Sequence, residues 1–365
     1  MKKSILIIIV LLFASCCKDE YPEPVRAERT VIAYMAADND MSDVVPVDLE
    51  EMKRAYRETG VNLLVLMDMA NETPYLLKIT ENGEQRIKTY QEFNSADPAN
   101  MNKLLGEITE MYSAKSYGLI LWSHGTSWLP TGMPLKSFAV DGNRQMNISD
   151  LAAALPVKFD FILFDACLMG AVEVAYELRN SADFIIASPT EIIDMGFPYD
   201  EIVPELLKPS VNLSMVAQKY FDYYNALEGA YRSASINLID TKELENLAKF
   251  TAELISGNEM DENFDRTEVQ RLDVYEEQYT FDFADFVAKA FPSANRDAFT
   301  AQLSKTVLYK AHTPAFLEEY QIETYCGLSC YMPASGRADL NAYYQSLQWY
   351  GDSRWDIVLN YELFK

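Results

Sequence analysis

Apolar residues in the first half of the chain occur either in continuous runs or at helical spacing. The continuous runs predict strands that are buried on both faces, as in a parallel sheet: Thr30–Ala36, Asn62–Met69, Tyr117–Trp122, Phe159–Phe164 and Asp183–Ala187. Helical spacing predicts helices over Asp48–Thr59 and Met101–Ser113, and an Asn-Gly turn predicts a hairpin between Tyr75–Ile79 and Gln85–Thr89. The repeated strand–helix–strand order predicts an α/β fold with a mostly parallel sheet flanked by helices.

The second half of the chain mixes helix-like and strand-like segments without a glycine- or proline-rich linker. The helix-like segments are Leu213–Tyr224, Lys242–Ile255 and Phe281–Ala290, and the strand-like segments are Ala234–Ile239 and Tyr325–Met332. We therefore predict a main domain over 29–240 and a smaller α/β C-terminal subdomain over 241–365 that completes the fold.

The N-terminus has the pattern of an export signal. Two lysines precede the apolar run Ile5–Phe13, which is too short to span a membrane as a helix. Ala14-Ser15-Cys16 then resembles a bacterial lipobox, so we expect residues 1–16 to be a signal peptide and Cys16 to be lipidated. Cys17 is a weaker alternative, and a plain cleaved signal is the other interpretation. Residues 17–28 read as a tether.

This N-terminus indicates a protein anchored to the outer membrane by lipid. Cys17-Lys18-Asp19-Glu20 resembles a short signal that carries lipoproteins to the cell surface, so surface exposure is a further hypothesis.

The composition narrows the class of partner. The 365 residues contain 31 Lys+Arg against 55 Asp+Glu, a net charge of −24. Such a surface repels phosphate backbones, which argues against nucleic acid, and it favours cationic partners such as basic peptides. The alternative is that the acids only maintain solubility. We expect a monomer.

Two residues that follow neighbouring buried strands are the candidates for chemistry. His124 follows Tyr117–Trp122, whereas the other histidine, His312, lies in a polar segment before a proline and is interpreted as structural. Cys167 follows Phe159–Phe164 and precedes a predicted helix, whose N-terminus would lower the pKa of the thiol. A thiolate and an imidazole suffice for acyl transfer. An inert buried thiol is the alternative for Cys167.

The remaining cysteines and histidines do not predict a metal site or a disulfide. Cys326 and Cys330 lie four residues apart in an apolar run, and we interpret both as buried packing thiols. Two distant histidines without paired cysteines exclude an ordinary zinc ligand set.

Ser123-His124-Gly125 and Asp165-Ala166-Cys167-Leu168-Met169-Gly170 resemble the clostripain family of caspase-like cysteine peptidases. The resemblance extends from about residue 30 to the C-terminus and implies a caspase-like sheet. It also implies that Cys167 attacks the scissile carbonyl and that His124 protonates the leaving amine, without a third catalytic residue. The N–H groups of Gly125 and Cys167 would then form the oxyanion hole.

The same resemblance implies cleavage after Arg or Lys, which requires acids in the substrate pocket. Asp165 and Asp194 stand where the family has such acids, although Asp165 could instead cap a helix, Asp194 could be a solvated loop acid, and Glu191 competes with Asp194. Relatives cut themselves between the histidine and cysteine segments, where Lys136 is a candidate site.

Several alternatives stay open at this point. The chain could be a catalytically idle surface lipoprotein of the same fold, a thiol transpeptidase or amidase, or a carbohydrate-capture lipoprotein whose 23 tyrosines stack on sugars. No cofactor is expected. A calcium-dependent relative leaves calcium open, but the chain has no EF-hand loop.

Overall fold

The computed structural model describes residues 26–131, 138–334 and 336–361. Its strands are β1 Ala27–Ala37, β2 Val61–Met69, β3 Tyr75–Thr80, β4 Gly83–Thr89, β5 Ala114–Trp122, β6 Phe138–Asp141, β7 Arg144–Met146, β8 Phe159–Asp165, β9 Ala182–Ala187, β10 Ser235–Asp240, β11 Phe281–Asp282, β12 Val307–His312, β13 Ala315–Phe316, β14 Tyr320–Gln321 and β15 Ser329–Cys330. Its helices are α1 Val45–Ala55, α2 Pro98–Met111, α3 Ile148–Ala154, α4 Val172–Glu177, α5 Tyr199–Leu206, α6 Leu213–Asn225, α7 Leu244–Gly257, α8 Phe283–Ala290, α9 Asp297–Thr306, α10 Ala338–Tyr344, α11 Gln348–Asp352 and α12 Trp355–Leu359.

Nine of the strands in the described ranges form one sheet, in the order β12-β10-β9-β8-β5-β1-β2-β3-β4. The five central strands, β9 to β2 in that order, are parallel. Antiparallel strands extend the sheet on both sides, β3 and β4 on one and β10 and β12 on the other. This confirms the predicted α/β fold with a mostly parallel sheet.

Both faces of the sheet are covered, which explains the continuous apolar runs. Along β1, Ile32 and Tyr34 pack into one hydrophobic core, whereas Val31 and Ala33 pack into a second core on the opposite face. Successive side chains of a strand point to opposite faces, so a strand with two covered faces needs an apolar residue at every position. Helices α1, α5 and α6 supply the second core, and α2, α4 and α7 contribute to the first.

The structure differs from the predicted elements mainly at their ends. The first helix begins at Val45 rather than Asp48. A proline lies in its first turn, where backbone N–H groups have no partner within the helix, so the missing N–H of proline costs nothing there. The strand-like run Tyr325–Met332 forms a strand only over Ser329–Cys330. β12, from the second half, pairs with β10 in the main sheet, and the division into domains near residue 240 stays a prediction.

The predicted fate of the C-terminal cysteines agrees with the structure. Cys326 and Cys330 are buried and carry free thiols.

Among the described residues, no helix combines the length and apolarity that crossing a bilayer requires.

Candidate active site

The register of two neighbouring strands brings the histidine and cysteine segments together. Trp122, at the end of β5, lies opposite Asp165, at the end of the parallel strand β8. His124 and Cys167 each follow two residues later, so both leave the sheet at the same edge. This is the edge at which open α/β sheets hold their ligands.

Both side chains line one cavity, which has an empty volume of about 470 Å³ including the part that is open to solvent. Four segments line it: the end of β5, the end of β8, the loop after β9, and α1 with the loop before it. The lining residues are Trp122, Ser123, His124, Asp165, Ala166, Cys167, Ile192, Ile193, Asp194, Gly196, Met41, Val44 and Asp48. The predicted residues His124, Cys167, Asp165 and Asp194 are therefore brought together.

His124 has an acidic neighbour that the sequence analysis missed. Its Nε2 atom lies 2.8 Å from the Oδ1 atom of Asp40, in the loop that follows β1. The Asp40 side chain is 69% exposed and that of His124 is 21% exposed, so water screens the pair in part. Because β1 is the other neighbour of β5, its following loop emerges beside His124. The sequence did contain a signal for this neighbour, since Asp38 and Asp40 come shortly after the predicted strand Thr30–Ala36.

The Cys167 thiol is half-buried and hydrogen-bonded to the backbone of Ile192. The Ile192 N–H donates to the Sγ atom at 3.3 Å, and the Ile192 carbonyl oxygen lies 3.5 Å from it. Burial raises the pKa of the thiol to about 12, and the carboxylates of Glu191 and Asp165 act in the same direction, whereas the Ile192 N–H opposes them.

The prediction that a helix N-terminus lowers the pKa of this thiol is wrong. Helix α4 begins only at Val172, five residues after Cys167. The intervening segment is irregular, and Leu168 has a left-handed backbone with φ of 64°. The end of the helix dipole is therefore too distant to stabilise a thiolate, and desolvation dominates.

Gly125 lies directly against the backbone of the cysteine segment. A Cβ atom at this position would stand 2.6 Å from the carbonyl oxygen of Cys167 and 3.0 Å from the Cβ atom of Ala166. Within the ranges that the structure describes, neither the Gly125 N–H nor the Cys167 N–H donates a hydrogen bond to another residue. Two such N–H groups are the donors that an oxyanion hole requires.

Asp165 is buried below the nucleophile segment and does not cap a helix. Its Oδ2 atom accepts hydrogen bonds from the Phe197 N–H at 3.2 Å and from the Tyr199 hydroxyl at 2.9 Å. Burial raises its pKa to about 6, and these two hydrogen bonds oppose that rise. Gly196, with φ of 60°, lies against it, since a Cβ atom there would be 3.2 Å from Oδ2.

The two competing acids of the loop after β9 have different surroundings. Asp194 is exposed and lines the cavity. Glu191 does not line it. Instead, its Oε1 atom accepts a hydrogen bond from the Val274 N–H at 3.0 Å, and burial raises its pKa to about 7. The geometry therefore favours Asp194 over Glu191 as a group that meets a substrate.

The other histidine lies elsewhere. His312 ends β12 at the outer edge of the sheet, and its Nδ1 atom lies 2.9 Å from the Thr313 carbonyl oxygen. It takes no part in the cavity.

Two predicted positions and the question of a metal site remain. Cys16 and Lys136 lie outside the described residues. Within the described part of the chain, no three His, Cys, Asp or Glu side chains converge on a point where a metal could bind. Whether the protein binds calcium, which the sequence left open, is not decided by this observation.

Comparison with known proteins gives consistent matches. Residues 33–361 match the clostripain family, Peptidase C11. Clostripain of Hathewaya histolytica is 29% identical over 47% of this chain, and the match spans only 41% of clostripain's own length.

Two solved structures cover nearly the whole described chain. An inactive zymogen of a C11 protease from Parabacteroides distasonis is 34% identical, with a TM-score of 0.80 over 90% of this chain and 99% of its own. A secreted C11 cysteine protease from Bacteroides thetaiotaomicron, in complex with an irreversible peptide inhibitor, is 29% identical, with a TM-score of 0.79 over 90% of this chain and 100% of its own.

Proposed function

The chain belongs to the clostripain family, and from this premise we propose that it is a cysteine endopeptidase that hydrolyses peptide bonds after Arg or Lys. The observation that carries the proposal is the single cavity that contains His124, Cys167 and the buried carboxylate of Asp165. A nucleophilic thiol, an imidazole that moves protons and an acidic pocket are the groups that this reaction requires. The relative with a bound peptide inhibitor supports a peptide substrate.

In the first half of the reaction, Cys167 forms a bond to the scissile carbonyl carbon. The thiol proton moves to His124, and the sulfur attacks to give a tetrahedral intermediate. The N–H groups of Gly125 and Cys167 hold its oxyanion. His124 then gives the proton to the amine as the carbon–nitrogen bond breaks, which leaves an acyl-enzyme and releases the first product.

In the second half, water replaces the departed amine. His124 takes a proton from the water as its oxygen attacks the thioester carbonyl, and the same two N–H groups hold the second oxyanion. Collapse breaks the carbon–sulfur bond, and the thiol regains its proton from His124. The cycle therefore consumes one water and leaves the enzyme unchanged.

Asp40 acts in this scheme as a positioning residue for His124. The Asp40 carboxylate contacts Nε2 and so restrains the orientation of the imidazole ring. The carboxylate also favours the imidazolium that forms during attack. Its high exposure keeps the contribution small.

Asp165 supplies the negative charge that selects a basic side chain before the scissile bond. It is 5% exposed, and no lysine or arginine in the described ranges lines the cavity to neutralise it. A substrate cation would do so. Asp194, at the exposed side of the cavity, adds a second, solvated acid.

The test is turnover of fluorogenic peptides that end in Arg, Lys, Ala or Glu, under reducing conditions, by the wild type and by Cys167→Ala. We expect cleavage of the Arg and Lys peptides by the wild type alone. A wild type that cleaves none of the peptides would support an idle surface lipoprotein. Ligated rather than hydrolysed products in mass spectrometry would indicate a transpeptidase.

We also propose that the protein is exported, anchored through Cys16 and cut after Lys136. A homologue described as secreted supports export. Loss of radiolabelled palmitate in Cys16→Ala would test the anchor.

N-terminal sequencing of the purified wild type and of Cys167→Ala would test the cut, since self-cleavage requires the nucleophile. Activity in the presence of EDTA would test calcium dependence.

A further inference from the structure

A second carboxylate reaches the candidate active site from a different part of the chain. Asp48 lies in the first turn of α1, on the face that the helix buries with Val45, Leu49 and Met52. It is 1% exposed. A buried carboxylate is costly unless it is paired or binds a cation. Asp48 has no cationic partner among the described residues and lines the cavity with Cys167.

Asp48 and Asp165 use their oxygen atoms in the same way. The Oδ2 atom of Asp48 accepts a hydrogen bond from Trp122 Nε1 at 2.8 Å, as the Oδ2 atom of Asp165 accepts from its two donors. No residue of the described ranges donates a hydrogen bond to either Oδ1 atom. Neither Oδ1 atom is fully enclosed by protein, so each is accessible to a ligand. Each carboxylate is therefore held by hydrogen bonds to one oxygen, lines the cavity, and keeps a second oxygen that has no donor among the described residues.

The two carboxylates interact electrostatically. Burial, and then the charge of Asp165, raises the pKa of Asp48 to about 8, whereas the Trp122 hydrogen bond opposes the rise. Glu51, one turn along the helix, adds negative charge at both aspartates. A bound cation would relieve this repulsion, and the aspartates would then both be ionised.

We propose that Asp48 and Asp165 form a two-carboxylate fork that holds the guanidinium of a substrate arginine, with one N–H group donating to each Oδ1 atom. This inference rests on the proposed function, which it deepens by assigning Asp48 to specificity. A planar guanidinium has N–H groups on separate nitrogens that reach two acceptors at once, whereas the compact ammonium of lysine is satisfied by one carboxylate. Asp48 therefore makes arginine the preferred residue.

Asp48→Asn is the sharpest variant for this inference. An asparagine retains an oxygen that accepts from Trp122 Nε1, but its amide carries no charge. We expect kcat/KM for Arg peptides to fall about 10- to 100-fold and that for Lys peptides to fall much less. Glu50→Gln is the matched control, since it removes one charge from an exposed position of the same helix. The control should leave the Arg-to-Lys ratio unchanged.

An unchanged Arg-to-Lys ratio in Asp48→Asn would overturn the inference while leaving the peptidase proposal intact. A wild type that cleaves neither peptide would instead defeat the peptidase proposal. A crystal structure of the wild type with an Arg-ended peptide inhibitor gives a second readout, independent of how the variant folds. We expect guanidinium nitrogens within about 3.2 Å of both Oδ1 atoms, and a guanidinium out of reach of Asp48 would overturn the inference.

Discussion

The Sγ atom of Cys167 lies within hydrogen-bonding distance of both backbone polar groups of Ile192, 3.3 Å from the nitrogen and 3.5 Å from the carbonyl oxygen. Only a protonated thiol donates to a carbonyl oxygen. The Ile192 N–H lowers the pKa of the thiol, but burial outweighs this effect, so the candidate nucleophile stays protonated and less reactive when no substrate is bound. A substrate backbone that takes the place of these contacts would change the environment of the sulfur at the moment of attack.

We predict that alkylation of Cys167 by iodoacetamide in the unliganded protein accelerates steadily with pH. Burial raises the pKa of the thiol to about 12, so the thiolate fraction should increase about tenfold per pH unit throughout the range in which the protein stays folded. Mass spectrometry of the Cys167 peptide measures the rate. Cys326 should stay unlabelled, because it is buried and its pKa is raised well above the usual value. A plateau near pH 8 would contradict the prediction.

Gly125→Ala should reduce kcat at least about 100-fold. The added methyl group would meet the Cys167 carbonyl oxygen at 2.6 Å, which displaces one of the two N–H groups proposed for the oxyanion hole. Gly106→Ala is the control, because its methyl group would have no neighbour closer than 3.9 Å and it lies within α2. This control should keep full activity and gain up to about 1 kcal/mol in the free energy of unfolding. A fully active Gly125→Ala would exclude the oxyanion assignment.

The sequence predicted the convergence of His124 and Cys167 because each follows a continuous apolar run of the kind expected for a parallel strand covered on both faces. Asp40 follows a predicted strand, but its contact with His124, like the position of Asp48, was not predictable in the same way. Their places depend on how the loop after β1 and helix α1 lie over the sheet, and strand periodicity carries no information on that. The raised pKa of Cys167 was missed for a related reason, since it follows from burial of the thiol, to which segments distant along the chain contribute.

Asp40→Asn should lower kcat at most about fivefold and leave KM unchanged. The pair with His124 is 2.8 Å long, but the Asp40 side chain is 69% exposed, and exposed ion pairs contribute little. The same loss should shrink in high salt, which screens the wild-type pair. Steady-state kinetics at low and high salt would measure both effects, with the exposed Asp43→Asn as the control. A loss of several hundredfold would mean that Asp40 does more than position the imidazole.

Asp68 should make the folded protein less stable as the pH rises from about 4 to about 8. This residue of β2 is 1% exposed, and burial, followed by the charges of Asp141, Glu92 and Asp38, raises its pKa to about 8. The folded state therefore binds a proton that the unfolded state has already lost in this window, so the stabilisation is complete at low pH and disappears as the pH passes 8. Asp68→Asn, which stays neutral, should exceed the wild type at pH 9 by on the order of a few kcal/mol in the free energy of unfolding, and by much less at pH 5. Urea unfolding at both pH values measures the difference.

Glu72→Gln, just beyond the end of the same strand but exposed, is the control. Its free energy of unfolding should differ from that of the wild type equally at pH 9 and at pH 5. A pH-dependent difference as large as that of Asp68→Asn would contradict the assignment to Asp68.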